Sequence, residues 1–152
     1  MIEIEKIVLT SSLTIIGGIV VYVVGLIINE FYIKPYIEYK KAIGEIDEEM
    51  MFFSNVYTNP IMPITTPFGN EEVISFYKHA SKQLRRVASK FSSVYKAARC
   101  KKLFKIINEG DKNKVIGNLI SLSNSLFYSV GDRHITTQNH DKAVEIRKIL
   151  NI

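Results

Sequence analysis

The run from Ile7 to Ile28 constrains this chain more than any other feature, because its 22 residues include no charge and no proline. At about 1.5 Å per residue a helix of that length reaches roughly 33 Å, enough to cross a hydrocarbon layer of about 30 Å. The alternative is a buried core helix, but a chain of 152 residues has no core that could surround it on every side. We therefore predict a transmembrane helix.

The residues flanking this run predict its fate and its orientation. The leading MIEIEK is acidic rather than basic, and no small-residue cleavage site follows, so a retained anchor is favoured over a cleaved signal peptide. Only Lys6 precedes the run, whereas Lys34, Lys40 and Lys41 follow it closely. Because cations favour the inner side, we expect an external tail and anchor in residues 1–30 and a cytoplasmic helical bundle in residues 31–152.

Small residues recur along one face of the predicted span, at Ser11, Thr14, Gly18 and Gly25. Spacings of three, four and seven bring them onto one helical stripe where a second backbone can approach closely, which predicts an oligomer interface. The alternative is that the hydroxyls bond the preceding turn and the stripe has no role in packing. Both interpretations are open.

Two long amphipathic patterns follow the span, separated by the proline-rich TNPIMPITTPFGN. Pro35 either opens the first helix or kinks one continuous rod, and Asn70 is expected to cap the second helix. The spacing predicts an all-α fold: a single N-terminal transmembrane helix, then a bundle built on a long antiparallel helical hairpin. The two apolar stripes are Tyr36, Tyr39, Ile43, Ile46, Met50, Phe53 and Tyr57, and Val73, Tyr77, Ala80, Leu84, Val87, Phe91, Val94 and Ala98.

The last third predicts shorter helices. CKKLFKIINEG is expected to form a brief helix closed by Gly110, with Asp111 capping a longer helix that ends at Gly131. DRHITTQNHD is expected to be a polar loop before a final helix, because its histidines and aspartates match no metal-ligand spacing. The polar face of the longer helix predicts either a close helix contact or a ligand-facing wall, and comprises Asn118, Ser121, Ser123, Asn124 and Ser125.

The stretch from Lys78 to Lys105 contains ten Lys or Arg and no acid, whereas Glu30 to Tyr77 contains eight acids and three lysines. Four partners fit the basic stretch: the acidic first helix, anionic lipid, nucleic acid or a phosphorylated small molecule. Duplex nucleic acid is disfavoured because stacking platforms, phosphate loops and zinc spacing are absent from the sequence. The predicted anionic-partner or lipid residues are Lys78, Lys82, Arg85, Arg86, Lys90, Arg99, Lys101 and Lys102.

The segments KPYIEYKKAIGEI, FFSNVYTNP, LRRVASKF and IGNLISLSNSLF resemble those of uncharacterised bacterial single-pass membrane proteins with an N-terminal anchor and a cytoplasmic helical domain. The resemblance covers most of the chain from Gly17 to Phe127. It implies a bacterial inner-membrane protein and a shared polar patch rather than a reaction. That patch would comprise Asn55, Tyr57, Asn59, Ser123, Asn124 and Ser125.

These patterns predict a non-enzymatic, membrane-anchored interaction or effector protein. It would self-associate through its span and sense a protein partner or an anionic ligand, in stress or phage defence. The alternative is a passive membrane scaffold that recruits a cytosolic enzyme; an enzyme on lipid or nucleotide is the third hypothesis, and no nucleophile, base and acid can be placed together for it. We expect membrane lipid and a second copy of the chain as partners, with no cofactor and no metal. The single Cys100 excludes an intrachain disulfide.

Overall fold

The computed structural model describes residues 3–61, 71–127 and 133–152. Every regular element in these ranges is helical, which confirms the all-α class with a long apolar helix before a bundle. The elements are α1 (Glu3–Ile28), a π-helical turn (Asn29–Ile33), α2 (Lys34–Phe52), α3 (Ser54–Thr58), α4 (Glu71–Ala97), α5 (Glu109–Ser125) and α6 (Arg133–Leu150).

Helix α1 stands outside the bundle. All of its residues are exposed, and it is long and apolar enough to cross a membrane. It continues through the π-helical turn into α2, so that helix runs without a break from Glu3 to Phe52. Pro35 lies in the first turn of α2, directly after the π-helical turn. A proline ring clashes with the carbonyl four residues earlier, so the wider turn is the adjustment that lets the rod continue.

Helices α2 and α4 form the predicted antiparallel hairpin. Their facing stripes are buried except for Val73, which is exposed, and Tyr36 and Val94, which are half-buried. Ile46, Leu84 and Phe91 are fully inaccessible, and the Tyr39 and Phe91 rings lie 5.8 Å apart. Helix α5 packs on the other side of α4, and α6 packs on α5. Helix α4 is therefore covered on two sides, which is why its apolar stripe is the cleanest in the sequence.

The end of the first hairpin helix differs from its prediction. The heptad pattern implied one helix through Tyr57, but α2 ends at Phe52, and Phe53 turns the chain into the short α3. Phe53 and Tyr57 are both buried all the same, so the apolar spacing persists across the turn and conceals it. The turn allows α3 to pack against α6. The proposed Asn70 cap lies outside the described residues, although α4 does begin with the acidic pair Glu71 and Glu72.

The predicted brief helix after α4 is wrong, because residues 98–108 form a compact non-helical turn. Cys100 and Lys105 both have left-handed backbones, with φ of 49° and 50°, and the amide of Ile106 donates to the carbonyl of Lys101 at 2.9 Å. Asn108 caps α5, since its Oδ1 accepts from the amide of Asp111 at 2.8 Å. Gly110 consequently lies inside the first turn of α5 rather than closing a helix.

The polar segment near residue 135 is helix, not the predicted loop. Helix α6 begins at Arg133 and runs to Leu150, and its buried residues Ala143, Ile146 and Leu150 continue backwards to Asn139 with the same spacing. Because the N-terminal part of that stripe is polar, the apolar pattern predicted a helix that is about two turns too short. Asp132, and the end of α5 expected at Gly131, lie outside the described residues.

Candidate functional site: a polar cleft between two helices

A fully buried amide joins three helices beneath the candidate site. Asn139 on α6 is 0% exposed, and its Nδ2 donates to the backbone carbonyl of Tyr57 on α3 at 2.8 Å. Its Oδ1 lies 2.8 Å from the hydroxyl of Ser125 on α5, and that hydroxyl also lies 2.9 Å from the carbonyl of Leu122. Each end of the amide has a partner within hydrogen-bonding distance, with the single Ser125 proton shared between Leu122 and Asn139 as acceptors, so Asn139 acts as a structural tie.

Above this tie, α5 and α6 enclose an open cleft of about 380 Å³. Lys142 is among the residues that line it, and among the described residues no carboxylate lies within 4.0 Å of its ammonium nitrogen. Among the described residues that line the cleft none is Asp or Glu and one is a cation, so its polar groups favour an anion or a neutral hydrogen-bonding group. The lining residues are Ser121, Asn124, Ser125, Ile135, Gln138, Asn139 and Lys142.

Arg85 on α4 supports the cleft from behind. Its Nε donates to the Ser123 hydroxyl at 2.9 Å, and a terminal nitrogen donates to Asn124 Oδ1 at 2.5 Å. The Ser123 hydroxyl also lies 2.8 Å from the hydroxyl of Ser81. Since Arg85 occupies the carbonyl end of the Asn124 amide, the Nδ2 donor is the end without a partner among the described residues.

Two further contacts border the cleft. One turn along the helices, Asn118 Nδ2 donates to a carboxylate oxygen of Glu145 at 2.8 Å and joins α5 to α6. At the other end, Gln138 Nε2 lies 2.7 Å from His134 Nε2, so the amide is held against the ring. The side chains that remain available to a ligand are therefore Ser121, Asn124 and Lys142.

Burial keeps the neighbouring phenol neutral. The pKa of Tyr57 lies above its ordinary value, because desolvation disfavours the phenolate more than the nearby positive charge of Arg147 favours it. Its hydroxyl donates to the carbonyl of Met50 at 3.1 Å, across the turn between α2 and α3. Tyr57 is thus committed to holding α3 in place and offers the cleft no proton donor.

The predicted polar patch separates into three parts. Tyr57 and Ser125 meet through Asn139, whereas Ser123 and Asn124 meet Arg85 on α4. The remaining two are exposed: Asn59 Nδ2 donates to the carbonyl of Asn55 at 3.0 Å, and the Asn59 carbonyl accepts from Tyr77 at 2.6 Å. Ser123 and Ser125 of the polar face of α5 are buried helix contacts, as the first interpretation expected. Ser121 and Asn124 line the cleft, so the ligand-facing interpretation stays a prediction for them.

Asn139 and Lys142 were not among the predicted site residues. A signal for Asn139 was available, because Asn139, Ala143, Ile146 and Leu150 alternate by four, three and four residues. An amide at a core position of such a stripe needs internal partners, and the serines of α5 are candidates for them.

The fold divides the predicted basic residues among different surroundings. Lys90 pairs with Glu45 and Arg86 lies 3.7 Å from Glu49, so these two cations pair with two of the five acids of α2. Arg85 contacts α5, as described above. Lys78 and Lys82 are exposed on the first half of α4, and Arg99, Lys101 and Lys102 belong to the turn after it.

The predicted small-residue stripe is exposed along α1. Thr14 Oγ1 donates to the carbonyl of Thr10 at 2.9 Å, as the alternative interpretation expected of the hydroxyls. A methyl group at Gly18 or Gly25 would meet nothing within 4 Å, so both positions are open to a neighbouring chain. Ser11 is exposed on the same stripe.

Among the described residues, no three His, Cys, Asp or Glu side chains gather as metal ligands would. No protein-family model matches the chain, and neither the curated proteins nor the solved structures include one that matches it.

Proposed function

We propose that this chain is a non-enzymatic, membrane-anchored interaction or effector protein of the bacterial inner membrane. Helix α1 is its single span, the bundle in residues 31–152 is cytoplasmic, and the chain self-associates through α1. The bundle senses an anionic ligand or a protein partner, in stress or phage defence. An exposed apolar α1 outside the bundle carries this proposal.

The exposure of α1 supports the membrane part of the proposal. None of its residues is buried, and its large apolar side chains include Val20 at 55% and Val21 at 73% exposed. At about 25 cal/mol for each Å² of apolar surface, a fully wetted helix of 26 residues would be very unfavourable in water. A bilayer removes that cost, and Lys34, Lys40 and Lys41 beyond the span support a cytoplasmic bundle.

Self-association is supported by the open stripe on α1. Gly18 and Gly25 permit close backbone approach, and van der Waals packing of this kind drives helix association in lipid. Native mass spectrometry of the full-length protein in nanodiscs should show an oligomer. Gly18→Leu with Gly25→Leu should reduce it to monomer, because the added side chains separate the backbones.

The matched control is Val20→Leu, which enlarges a side chain on the opposite face of α1 and should leave the oligomer intact. A monomer in the unsubstituted protein, or an oligomer that survives the double glycine substitution, would contradict association through the stripe. A stoichiometric complex with a second, different chain would instead favour the passive scaffold.

The ligand-sensing part rests on the cleft between α5 and α6. The cleft offers three hydrogen-bond donor groups, of which one is a cation, and they belong to Lys142, Ser121 and Asn124. Such a set suits the oxygens of a phosphate or carboxylate group. Inorganic phosphate, pyrophosphate and adenosine monophosphate are suitable probes. A probe at 100 times its dissociation constant stabilises the bundle by about 2.7 kcal/mol, which is visible as a rise in the melting temperature.

Lys142→Gln should abolish that rise because it removes the one cation among the described residues that line the cleft. Lys114→Gln is the matched control, since Lys114 is exposed elsewhere on α5 and does not line the cleft. An equal rise in both variants would place the anion elsewhere. Turnover of any phospholipid or nucleotide by the full-length protein would contradict the non-enzymatic assignment.

A further inference from the structure

The turn after α4 lies beside the exit of the proposed span. Because α4 runs antiparallel to α2, the chain returns after Ala97 to the beginning of α2. The Arg99 guanidinium carbon lies 5.1 Å from the centre of the Phe31 ring, and the rings of Tyr36 and Phe104 stack at 4.6 Å. Phe31 follows the end of α1 by only three residues, about 5 Å along a helix axis.

This turn, residues 99–105, combines positive charge with one protruding apolar side chain. Arg99, Lys102 and Lys105 are exposed, and Lys101 holds its ammonium group 3.8 Å from the centre of the Tyr95 ring. Leu103 is 76% exposed, more than any large apolar side chain of α1. The sequence has no acid between Lys78 and Asn108, so nothing within the turn neutralises these cations.

The backbone of the turn is well defined. Left-handed residues, Cys100 and Lys105, stand at its two ends. Between them the Phe104 amide donates to the Cys100 carbonyl at 3.2 Å, and the Lys105 amide donates to the Lys102 carbonyl at 3.3 Å. Non-glycine residues adopt this conformation only where the surroundings impose it, so the turn presents Leu103 outward from a fixed frame.

The other cations of the basic stretch have different surroundings. Lys90 and Arg86 pair with acids of α2, and Arg85 contacts α5. Lys78 and Lys82 lie on the far half of α4, at least about 20 Å from the turn along the helix axis. Within the basic stretch, the turn and the adjacent Lys96, which is also exposed in the last turn of α4, therefore bring cations without an ion pair among the described residues to the end of the bundle where α1 leaves it.

We propose that the 99–105 turn is a second membrane contact, which binds anionic lipid headgroups through its cations while Leu103 enters the interface. The proposal rests on the proposed function, in that α1 must span the bilayer. An amphipathic segment of this kind gains from both apolar burial and attraction to anionic lipid. With α1 it provides two attachment points, which fix the tilt of the α2–α4 hairpin on the membrane.

The test uses the full-length protein in nanodiscs, with single cysteines carrying a polarity-sensitive fluorophore in a Cys100→Ser background. Val20→Cys reports the span, Leu103→Cys reports the turn, and Ser75→Cys reports the far end of α4. Lipids with quenchers at the headgroup level, in discs of phosphatidylcholine with or without phosphatidylglycerol, should quench the Leu103 probe most strongly in anionic discs. The Ser75 probe should remain unquenched.

Charge removal then tests the headgroup contact. Each basic residue near an anionic surface strengthens binding about fivefold, so Lys102→Gln with Lys105→Gln should lower the ratio of docked to undocked turn by about 25-fold. Lys78→Gln with Lys82→Gln removes the same charge at the far end and should change nothing. Raised salt should weaken docking in the same direction as the first pair.

The remaining outcomes overturn the proposal in distinguishable ways. If the Val20 probe is quenched by acyl-chain quenchers but the Leu103 probe behaves like the Ser75 probe, the span stands and the docking turn is wrong. Equal quenching of the Leu103 probe in neutral and anionic discs would refute recognition of charged headgroups. If the Val20 probe is unquenched, the span is wrong and the docking turn falls with it.

Discussion

Removing the buried amide of Asn139 should destabilise the bundle more than its position in a polar segment suggests. Asn139→Ala deletes the donor to the Tyr57 carbonyl and the partner of the Ser125 hydroxyl. A hydrogen bond contributes about 1 kcal/mol net, and a buried carbonyl left without a donor costs about 1–3 kcal/mol. The sum is a loss of about 2–4 kcal/mol in the free energy of unfolding, because α3, α5 and α6 lose their common tie.

The assay is thermal unfolding of the full-length protein in detergent, followed by near-ultraviolet circular dichroism of its tyrosines. For a bundle of this size each kcal/mol shifts the melting temperature by about 3–6 °C, so Asn139→Ala should lower it by about 6–24 °C. Asn113→Ala is the matched control, since Asn113 is exposed on α5 and should shift the melting temperature by under about 2 °C.

A double-mutant cycle separates the hydrogen bond from the cavity. Ser125→Ala combined with Asn139→Ala should cost less than the sum of the two single substitutions, with a coupling of about 0.5–3 kcal/mol, because either substitution alone removes the contact between the two side chains. Equal melting temperatures for Asn139→Ala and Asn113→Ala, or strict additivity in the cycle, would refute the role assigned to this amide.

Two further predictions concern charge and protonation. Lys90→Glu should destabilise the hairpin by no more than about 1 kcal/mol, with recovery on adding Glu45→Lys, because the pair is partly exposed and screened; high salt should abolish the difference in melting temperature. Burial raises the pKa values of Tyr39, Tyr57 and Tyr77, so the unfolded chain releases these protons near pH 10 while the folded chain retains them. The stability they contribute is present below pH 10 and falls above it, and melting temperatures across that range should show the fall, to a smaller extent in Tyr57→Phe.

The helices could be predicted where one apolar stripe faces one core. The hairpin stripes of α2 and α4 specified their partner because each continues for several turns, and their residues are buried or half-buried except Val73 at the start of α4. The apolar spacing failed to predict a turn where the buried residues keep the same spacing before and after the turn. Phe53 would be buried in a continuing helix, and it is also buried in the turn that the structure shows. Apolar spacing alone therefore cannot detect that α2 ends at Phe52.

The site was harder to predict because its residues are set by which side chains meet across helices, and the periodic spacing of the sequence does not show those contacts. Ser121 and Asn124 were recognisable as polar residues on a helix that also needs contacts, but their cleft exists only because α6 begins as early as Arg133. The basic stretch was clear in the sequence, yet its division depends on distances. Arg85 faces serines, Lys90 faces an acid and Lys102 faces solvent, although all three lie within 18 residues.

The position of the cleft determines how sensing would reach the span. Ser121 and Asn124 lie on the last turns of α5, about 20 Å along that helix from its start at Glu109. A ligand there contacts α6, and Asn139 connects α6 to the backbone of α3, which follows the continuous rod of α1 and α2. The Phe53 turn is the only interruption in that path. Ligand binding can therefore change the equilibrium constant for self-association only if it alters the Phe53 turn and the altered turn favours the oligomer. By reciprocity, self-association must then change the ligand affinity by the same factor.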